Sequence, residues 1–267
     1  MTDRLIDRQY LTGVQYASDA NLSARQAIYR FQQPLVRSAS WALDLAGLGG
    51  DERVLDLGCG NGLHLAELSR REHRGFVCGM DLSPGMLTAA RSRSATPLLV
   101  GDAQRLPFAD AAFDRLLAMH MLYHVPDRDA ALAEMRRVLQ PDGVALALTN
   151  SHRHLEELND LIGGVLHDVA GGEPSAVRAY LRFSSESGEP ELRMHFASVV
   201  RHDVRSELVV TEVEPIVDYV ASMGSVSRFR AGEARPILRE VERRAAAIIE
   251  RDGAFRIRTD VGCFVCH

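Results

Sequence analysis

A buried strand that runs directly into a glycine-rich turn is the feature that most constrains the fold of this chain. The segment reads Val54-Leu55-Asp56-Leu57-Gly58-Cys59-Gly60-Asn61-Gly62, so an apolar run with one acidic residue is followed by a glycine at every second position. An amphipathic stretch comes next, which predicts a helix. Because glycine has no Cβ, the backbone N–H groups of such a turn approach a ligand closely. The pattern therefore predicts a ligand held between a strand end and a helix start.

Two common ligand-binding motifs do not fit this turn. A dinucleotide fold requires Gly-x-Gly-x-x-Gly or Ala, in which the last small residue lets the helix pack on the strand. Counted from Gly58, that position holds Leu63. A phosphate-binding P-loop requires Lys-Ser or Lys-Thr after the glycines, and neither follows. The turn is therefore expected to hold neither NAD nor a nucleoside triphosphate.

A second predicted strand, Gly75 to Asp81, ends in a carboxylate that lies 21 residues after Gly60. A carboxylate at a strand end about 20 residues beyond a glycine turn suits the two hydroxyl groups of a ribose. Ser83 and Pro84 follow, which predicts a helix with Ser83 as its N-cap and Pro84 as its first residue. We therefore expect Asp81 to bind a nucleoside ribose.

Strand and helix patterns alternate through residues 53–149. Further strands are predicted at residues 97–102, 113–119 and 144–148, and a helix capped by Asp127 is expected to stop at Pro141-Asp142-Gly143. Such alternation predicts a doubly wound parallel sheet.

Five motifs in this region resemble those of the class I S-adenosylmethionine-dependent methyltransferases, in particular a bacterial small-molecule subgroup with a type 11-like domain. They are VLDLGCGNG, GMDLSP, GDAQRLPF, FDRLLAMHMLYHVPD and LQPDG. The resemblance implies an α/β fold with a Rossmann-like, doubly wound, seven-stranded sheet, a helical N-terminal segment and a helical lid insertion. It implies S-adenosylmethionine as the cofactor, with S-adenosylhomocysteine as its product. The residues expected to bind this cofactor are Tyr16, Arg25, Asp56, Gly58, Cys59, Gly60, Asn61, Gly62, Asp81, Leu82, Met86, Asp102, Ala103, Gln104 and Met119.

The residue patterns divide the chain into four predicted parts. Residues 1–48 form an N-terminal helical lid segment with helices at residues 24–32 and 35–45, and residues 49–150 form the cofactor-binding core. Residues 151–225 form an acceptor-binding insertion, and residues 226–267 form a C-terminal helix and strands that complete the core. In such enzymes the N-terminal helices often close over the cofactor, so Arg25 is expected to pair with its carboxylate. The alternative is that Arg25 and Tyr29 only pack on the helix surface.

Methyl transfer requires geometry more than acid or base chemistry, because the cofactor's sulfonium is already a strong leaving group. A base is needed only when the acceptor arrives protonated. The candidates are His124, His120 and Tyr16, and proximity alone is the alternative. His124 resembles the histidine of the family's His-Val-Pro-Asp turn, for which a structural role is at least as common as a chemical one.

The amino-acid composition limits the kinds of binding partner that we expect for this protein. The net charge is −5, which gives no electrostatic reason to expect nucleic acid. All 31 basic residues are arginine, which excludes a lysine Schiff base. No apolar run reaches the roughly 18 residues of a membrane span, and the N-terminus shows no signal-peptide pattern. We expect a cytoplasmic protein without a membrane partner, and the sequence leaves monomer and homodimer open.

The remaining cysteine and histidine patterns are explained better by packing or surface positions than by a metal or haem site. Cys263-Phe264-Val265-Cys266-His267 matches the c-type haem attachment motif, yet two cysteines packed in a terminal strand explain it more simply. Zinc binding or a redox dithiol at the same residues is a further alternative. His152, His154 and His167 resemble a metal cluster only loosely and are expected to lie on a solvated helix. No metal site is predicted.

The sequence therefore predicts a methyltransferase that acts on a small-molecule acceptor through nitrogen or oxygen, in secondary metabolism. Two alternatives remain open. One is methylation of a peptide, protein or tRNA, and the other is a catalytically silent cofactor-binding partner subunit.

Overall fold

A computed structural model describes residues 4–171, 182–227 and 231–267 of the chain, and within those ranges the strands form one eight-stranded sheet. The strands are β1 (Gln32–Gln33), β2 (Val54–Leu57), β3 (Val77–Asp81), β4 (Leu98–Val100), β5 (Phe113–Met119), β6 (Leu139–Asn150), β7 (Val199–Val210) and β8 (Phe255–Cys266). Their order across the sheet is β1-β7-β8-β6-β5-β2-β3-β4. Strands β6, β5, β2, β3 and β4 run parallel, and β8, β7 and β1 are added by antiparallel pairing.

Helices pack on both faces of the sheet. They are α1 (Arg8–Tyr10), α2 (Ala20–Ala27), α3 (Ser38–Leu45), α4 (Leu63–Arg70), α5 (Pro84–Arg91), α6 (Arg128–Val138), α7 (Glu156–Ala170), α8 (Gly188–Arg193), α9 (Glu214–Ala221), α10 (Gly224–Ser227) and α11 (Ala231–Asp252). A π-helical turn at Leu11–Gln15 and 3-10 turns at Ile28–Phe31 and Leu122–His124 complete them.

The parallel half of the sheet is buried on both faces, which explains its near-continuous apolar sequence. Successive residues of a strand point to opposite faces. Leu117 accordingly packs with Leu43 of α3 and Leu68 of α4. Its neighbour Leu116 packs with Met135 of α6 on the other face. The predicted α/β fold class with a Rossmann-like sheet is confirmed.

The antiparallel half differs from the predicted division of the chain. Strand β7 pairs with β8 over twelve residues, so Val199–Val210 is part of the main sheet although it falls within the predicted insertion 151–225. Helices α7, α9 and α11 cover this half through a separate apolar cluster. The two-residue strand β1 then pairs with β7 and adds an eighth strand to the seven expected.

Several predicted boundaries move because tertiary pairing overrides local signals. The expected helix 24–32 is α2 followed by a 3-10 turn, and the expected helix 35–45 begins at Ser38. Strand β6 continues through Pro141-Asp142-Gly143, where its register against β5 shifts. The two closing strands expected at residues 255–260 and 263–266 are one strand, β8. Residues 1–3, 172–181 and 228–230, which belong to the predicted lid segment, insertion and C-terminal part, lie outside the described residues.

The four cysteines are free and buried. Cys263 and Cys266 lie three positions apart on one strand, so they point to opposite faces of the sheet and join different apolar clusters. This placement fits the packing interpretation of the Cys-x-x-Cys-His motif. None of the described helices is both long enough and apolar enough to span a bilayer.

Candidate active site

A cavity of about 710 Å³ opens above the carboxyl ends of the parallel strands. Its volume lies within the roughly 300–1,000 Å³ typical of small-molecule sites. The lining residues extend from Asp81 on β3 to Ser206 on β7. These strands are five positions apart in the sheet, which corresponds to about 24 Å at the usual strand spacing. The cavity is therefore wide enough to place two ligands side by side.

The glycine turn forms one wall of this cavity. Gly58, Gly60 and Gly62 have φ values of 70°, 53° and 81°, which other residues rarely adopt. A Cβ on Gly58 would come within 2.7 Å of Met121. The amides of Gly58 and Cys59 both donate to the carbonyl oxygen of Met80 on β3, which holds the turn against the neighbouring strand.

Asp81 lies at the end of β3 and lines the cavity. Its Oδ2 accepts the amide hydrogen of Gly60 at 2.9 Å, and its Oδ1 accepts that of Ser83 at 2.8 Å. Burial raises the pKa of this carboxyl group, and the backbone N–H groups that it accepts lower it. Each carboxylate oxygen has a second lone pair. The group therefore both fixes the turn and has acceptor capacity for a ribose diol, as the sequence predicts.

The structure places Asp56 and Gly62 away from the cavity lining. Asp56 is fully buried within β2, and neither of its carboxyl oxygens has a hydrogen-bond partner among the described residues. Burial, followed by the nearby charge of Asp81, raises its pKa to about 8. Gly62 caps α4, and a Cβ there would meet Ala90 at 3.0 Å. Asp56 lies inside the strand and Gly62 packs against α5, so neither is among the residues that line the cavity, and their contacts with the cofactor stay predictions.

The other predicted cofactor residues line the cavity: Tyr16, Arg25, Gly58, Cys59, Gly60, Asn61, Asp81, Leu82, Met86, Asp102, Ala103, Gln104 and Met119. His120 and His124, the predicted bases, line it as well.

Residues 4–31, called here the N-terminal segment, cover the cavity and are fastened to the core at several points. The Ser83 hydroxyl donates to the carbonyl oxygen of Tyr16 at 2.6 Å, and Asn61 donates to Gln26 at 3.1 Å. Arg25 donates to the carbonyl oxygen of Ser222 at 2.9 Å, just beyond α9. The segment therefore bridges the glycine turn, the start of α5 and the end of α9.

Tyr16 and His124 form a hydrogen-bonded pair under this segment. The Tyr16 hydroxyl lies 3.0 Å from His124 Nε2, and His124 Nδ1 lies 2.9 Å from the carbonyl oxygen of Leu5. A carbonyl oxygen only accepts, so the neutral imidazole carries its hydrogen on Nδ1 and accepts the Tyr16 hydroxyl at Nε2. Burial raises the pKa of Tyr16, and the adjacent Arg25 opposes that rise. The Nε2 lone pair of His124 is therefore directed at Tyr16.

The far end of the cavity is a group of neutral polar side chains, which we call the polar pocket. It comprises Tyr29, Gln32, His120, His154, Ser206 and Thr259. The Tyr29 hydroxyl and His154 Nε2 are 2.9 Å apart. Gln32 donates to the Ser206 hydroxyl at 2.7 Å, and Ser206 and Thr259 share a hydrogen bond of 2.7 Å across β7 and β8.

Three histidines that line the cavity are held neutral. Burial lowers the pKa of His64 and of His120 to about 4, and that of His154 to about 3. His120 also has a φ of 54°, an uncommon and strained backbone conformation for a non-glycine residue. His154 is buried rather than solvated, which corrects the sequence-based expectation. Among the described residues no group of three His, Cys, Asp or Glu side chains has the arrangement of a metal site.

Sequence reasoning missed most of the polar pocket. Ser206 and Thr259 lie on two strands that mix apolar and charged residues, and only the pairing of these strands brings the two hydroxyl groups together. For Tyr29 the sequence suggests only a packing role. The available signal was that polar side chains interrupt the predicted strands and helices on one face.

Comparison with known proteins agrees with this geometry. Residues 55–147 match the family model of a methyltransferase domain. The malonyl-[acyl-carrier protein] O-methyltransferase of Serratia marcescens is 40% identical over 120 residues, which cover 43% of this chain and 46% of that protein. The chain therefore spans about half the length of this relative. The enzyme of the same name from Geobacter sulfurreducens is 28% identical over 240 residues, which cover 87% of this chain and 85% of that protein.

A solved structure extends the likeness to the whole fold. Phosphoethanolamine N-methyltransferase 2 of Haemonchus contortus, in complex with phosphomonomethylethanolamine and S-adenosylhomocysteine, aligns with a TM-score of 0.58 and 19% identity. The alignment covers 98% of this chain and 59% of that one. The sequence motifs, the sheet order and these matches agree that residues 55–147 form a methyltransferase domain, in a chain with the fold of the S-adenosylmethionine-dependent methyltransferases.

Proposed function

We propose that this protein transfers a methyl group from S-adenosylmethionine to a small molecule bound in the polar pocket. One observation carries the proposal: a single covered cavity contains both the glycine turn with Asp81 and the polar pocket. A donor bound at the first end and an acceptor bound at the second would share one enclosed space. Such placement supplies the orientation that methyl transfer chiefly requires.

The residues at the first end fit the cofactor. Asp81 would accept the ribose hydroxyls, the amides of the Gly58–Gly60 turn would approach the cofactor backbone, and Arg25 would pair with its carboxylate. The bound cofactor supplies a methyl carbon that is already activated by its sulfonium. The protein's part is to hold the acceptor in line with that carbon and to exclude water.

Oxygen or nitrogen is the proposed acceptor atom, because neutral imidazole and hydroxyl groups surround the polar pocket. A protonated acceptor would lose its hydrogen to a nearby base. His124 could accept it only through Tyr16, because the Tyr16 hydroxyl occupies Nε2. The low pKa of His120, about 4, makes it a weak proton acceptor. Positioning is therefore proposed as the main catalytic contribution.

The relatives support a small acceptor without fixing which one. One is named for an O-methylation and another for an N-methylation, so the family accommodates both atoms. The proposed role in secondary metabolism rests on the sequence resemblance to the bacterial small-molecule subgroup.

Calorimetric titration tests the cofactor end of the proposal. S-adenosylhomocysteine should bind with one-to-one stoichiometry, and NAD should give no heat, because Leu63 replaces the small residue that dinucleotide folds require. Binding of NAD without binding of S-adenosylhomocysteine would refute the proposed activity.

Methyl transfer is tested by incubating the protein with S-adenosylmethionine that carries a labelled methyl group and with a cell extract. Label in the low-molecular-weight fraction is the expected result. Label in the protein or RNA fraction would favour the macromolecular alternative. S-adenosylhomocysteine binding without label in any fraction would favour a silent partner subunit.

A further inference from the structure

The charged groups of the cavity are distributed unevenly. Among the described residues that line it, the acidic and basic side chains are Arg8, Arg25, Asp81 and Asp102. Arg8 pairs with Asp102 at 3.4 Å, next to β4. Asp81 lies at the end of β3 and holds the glycine turn. Three of the four charged groups therefore lie at the cofactor end.

Arg25 is the remaining charge, and its position ties it to the cofactor as well. Its guanidinium lies 5.6 Å from the centre of the Tyr16 ring and donates to the carbonyl oxygen of Ser222. If it binds the cofactor carboxylate, as proposed above, the described lining holds no further cation for an acceptor. An acceptor carboxylate or phosphate would then be buried without a counter-charge, which is costly.

The polar pocket itself offers neutral hydrogen-bonding groups. Ser206 and Thr259 present hydroxyls, Gln32 presents an amide, and Tyr29 presents a phenol. The pocket histidines stay uncharged near neutral pH because burial lowers their pKa values. Val204, Val261 and Leu148 add apolar wall beside these groups. Such a lining recognises hydroxyl and carbonyl groups on a partly apolar molecule.

We infer that the acceptor is an uncharged, hydroxyl-bearing small molecule, and that the polar pocket selects against carboxylates, phosphates and ammonium groups. This inference rests on the proposed function, since it concerns the second ligand of the same cavity. It separates this protein from a malonyl-carrier methyltransferase, whose substrate name denotes a free carboxylate, and from one that acts on phosphoethanolamine.

Three probes that differ in one substituent test the inference. Resorcinol, 3-hydroxybenzoate and 3-hydroxybenzylamine share a phenol ring and carry a neutral, an anionic and a cationic group. Each is titrated into protein saturated with S-adenosylhomocysteine. Resorcinol should bind, and both charged probes should bind at least about tenfold more weakly. Equal or tighter binding of either charged probe, or no resorcinol binding at millimolar concentration, would overturn the inference.

A conservative variant locates the binding. Thr259→Val keeps the side-chain shape and removes one pocket hydroxyl, so resorcinol affinity should fall about fivefold to tenfold while S-adenosylhomocysteine affinity stays unchanged. Thr88→Val, on exposed α5, is the matched control and should change neither. Unchanged resorcinol affinity in Thr259→Val would place the probe outside the polar pocket and overturn the inference. If the wild-type protein did not bind S-adenosylhomocysteine at all, that result would instead refute the proposed function.

Discussion

The two ends of the cavity are built in different ways. The cofactor end uses backbone amides and a strand-end carboxylate, and its main parts, Gly58–Gly62 and Asp81, are only about 20 residues apart in the chain. The polar pocket uses side chains that lie far apart in sequence, since Gln32, His154, Ser206 and Thr259 come from separate elements. The first end is thus encoded locally and the second only by assembly of the sheet.

This difference explains how the chain can keep one cofactor while relatives act on different acceptors. In the proposed function the glycines and the carboxylate of the short strand–turn–helix unit bind the same ligand, so they would have to be preserved together. The strands β7 and β8 lie apart from that unit in the sheet, so we expect new side chains at their cavity-facing positions to leave it undisturbed. Variants that affect one end and spare the other therefore test the comparison.

Gly60→Val should give the largest effect. Gly60 has a φ of 53° and lines the cavity, so the new side chain would strain the backbone and occupy ligand space. We expect S-adenosylhomocysteine binding to become undetectable by calorimetry. Gly253→Val is the matched control: its φ of 78° imposes a similar backbone strain, yet a Cβ there would meet no atom within 4 Å, and the residue follows α11 away from the cavity. Equal loss in both variants would attribute the effect to folding.

Asp81→Ala should weaken S-adenosylhomocysteine by about 1.5–3 kcal/mol per hydrogen bond lost, since these are bonds to a charged group. The variant also releases the amides of Gly60 and Ser83. Asp51→Ala, which removes only an exposed ion pair with Arg74, should leave the affinity unchanged. Wild-type affinity in folded Asp81→Ala would contradict the ribose-binding role.

Lowering the pH should destabilise the folded protein through a buried histidine of the polar pocket, His154. The folded-state pKa of His154 is lowered to about 3 from 6.5, so the unfolded chain binds the extra proton first. The free energy of unfolding should therefore fall as the pH drops below 6.5, by up to about 1.4 kcal/mol per pH unit for this group. Urea titrations from pH 7 to pH 4 measure the slope.

His154→Gln should make that slope shallower, and His202→Gln, at an exposed position on β7, should not. Asp56, buried within β2, affects the pH dependence of stability with the opposite sign. Its pKa is raised to about 8 from 3.8, so its cost grows as the pH rises through that interval. Asp56→Asn should accordingly stabilise the protein more at pH 7 than at pH 4. Identical slopes in the wild type and His154→Gln would show that the pocket histidine does not contribute.

The N-terminal segment should become more protected when the cofactor site is filled. It covers the cavity and lies outside the sheet, so it is the part that most easily opens for ligand exchange. Hydrogen exchange should show slower exchange in residues 4–31 after S-adenosylhomocysteine is added, while the β7–β8 pair changes little. Tyr16→Phe removes the bond to His124 and should reduce that protection. Slower exchange confined to the sheet would contradict a lid role.

Removal of either histidine should have the smallest effect. With an acceptor identified from the labelling experiment, His124→Ala and His120→Ala should each reduce kcat by less than about tenfold, below the roughly 10²–10⁴-fold typical of a true base. Unchanged affinity for S-adenosylhomocysteine is the control that the site remains formed. A loss above about a hundredfold in one variant would identify that histidine as the base.

The sequence predicted the local structure around the glycine turn well because its signals are local. Strand, turn and helix between Val54 and Arg70 follow from apolar periodicity and glycine spacing, and Asp81 follows from the next strand end. It did not predict that Asp56 is fully buried and absent from the cavity lining. Exposure of a side chain at a strand end depends on how the turn folds over it, and spacing does not report this.

The sequence by itself determined the parallel core, the glycine turn, the position of Asp81 at a strand end and the methyltransferase domain, because each depends on residues that are close in the chain. Only the tertiary structure decided that β7 joins the main sheet and that the Tyr16 hydroxyl forms a hydrogen bond with His124 Nε2. It also decided that the side chains of Ser206 and Thr259 meet across two strands. Tyr16 and His124 are 108 positions apart in the chain, and Ser206 and Thr259 are 53 apart. Such contacts form only after the core has brought the strands together, so no local pattern encodes them.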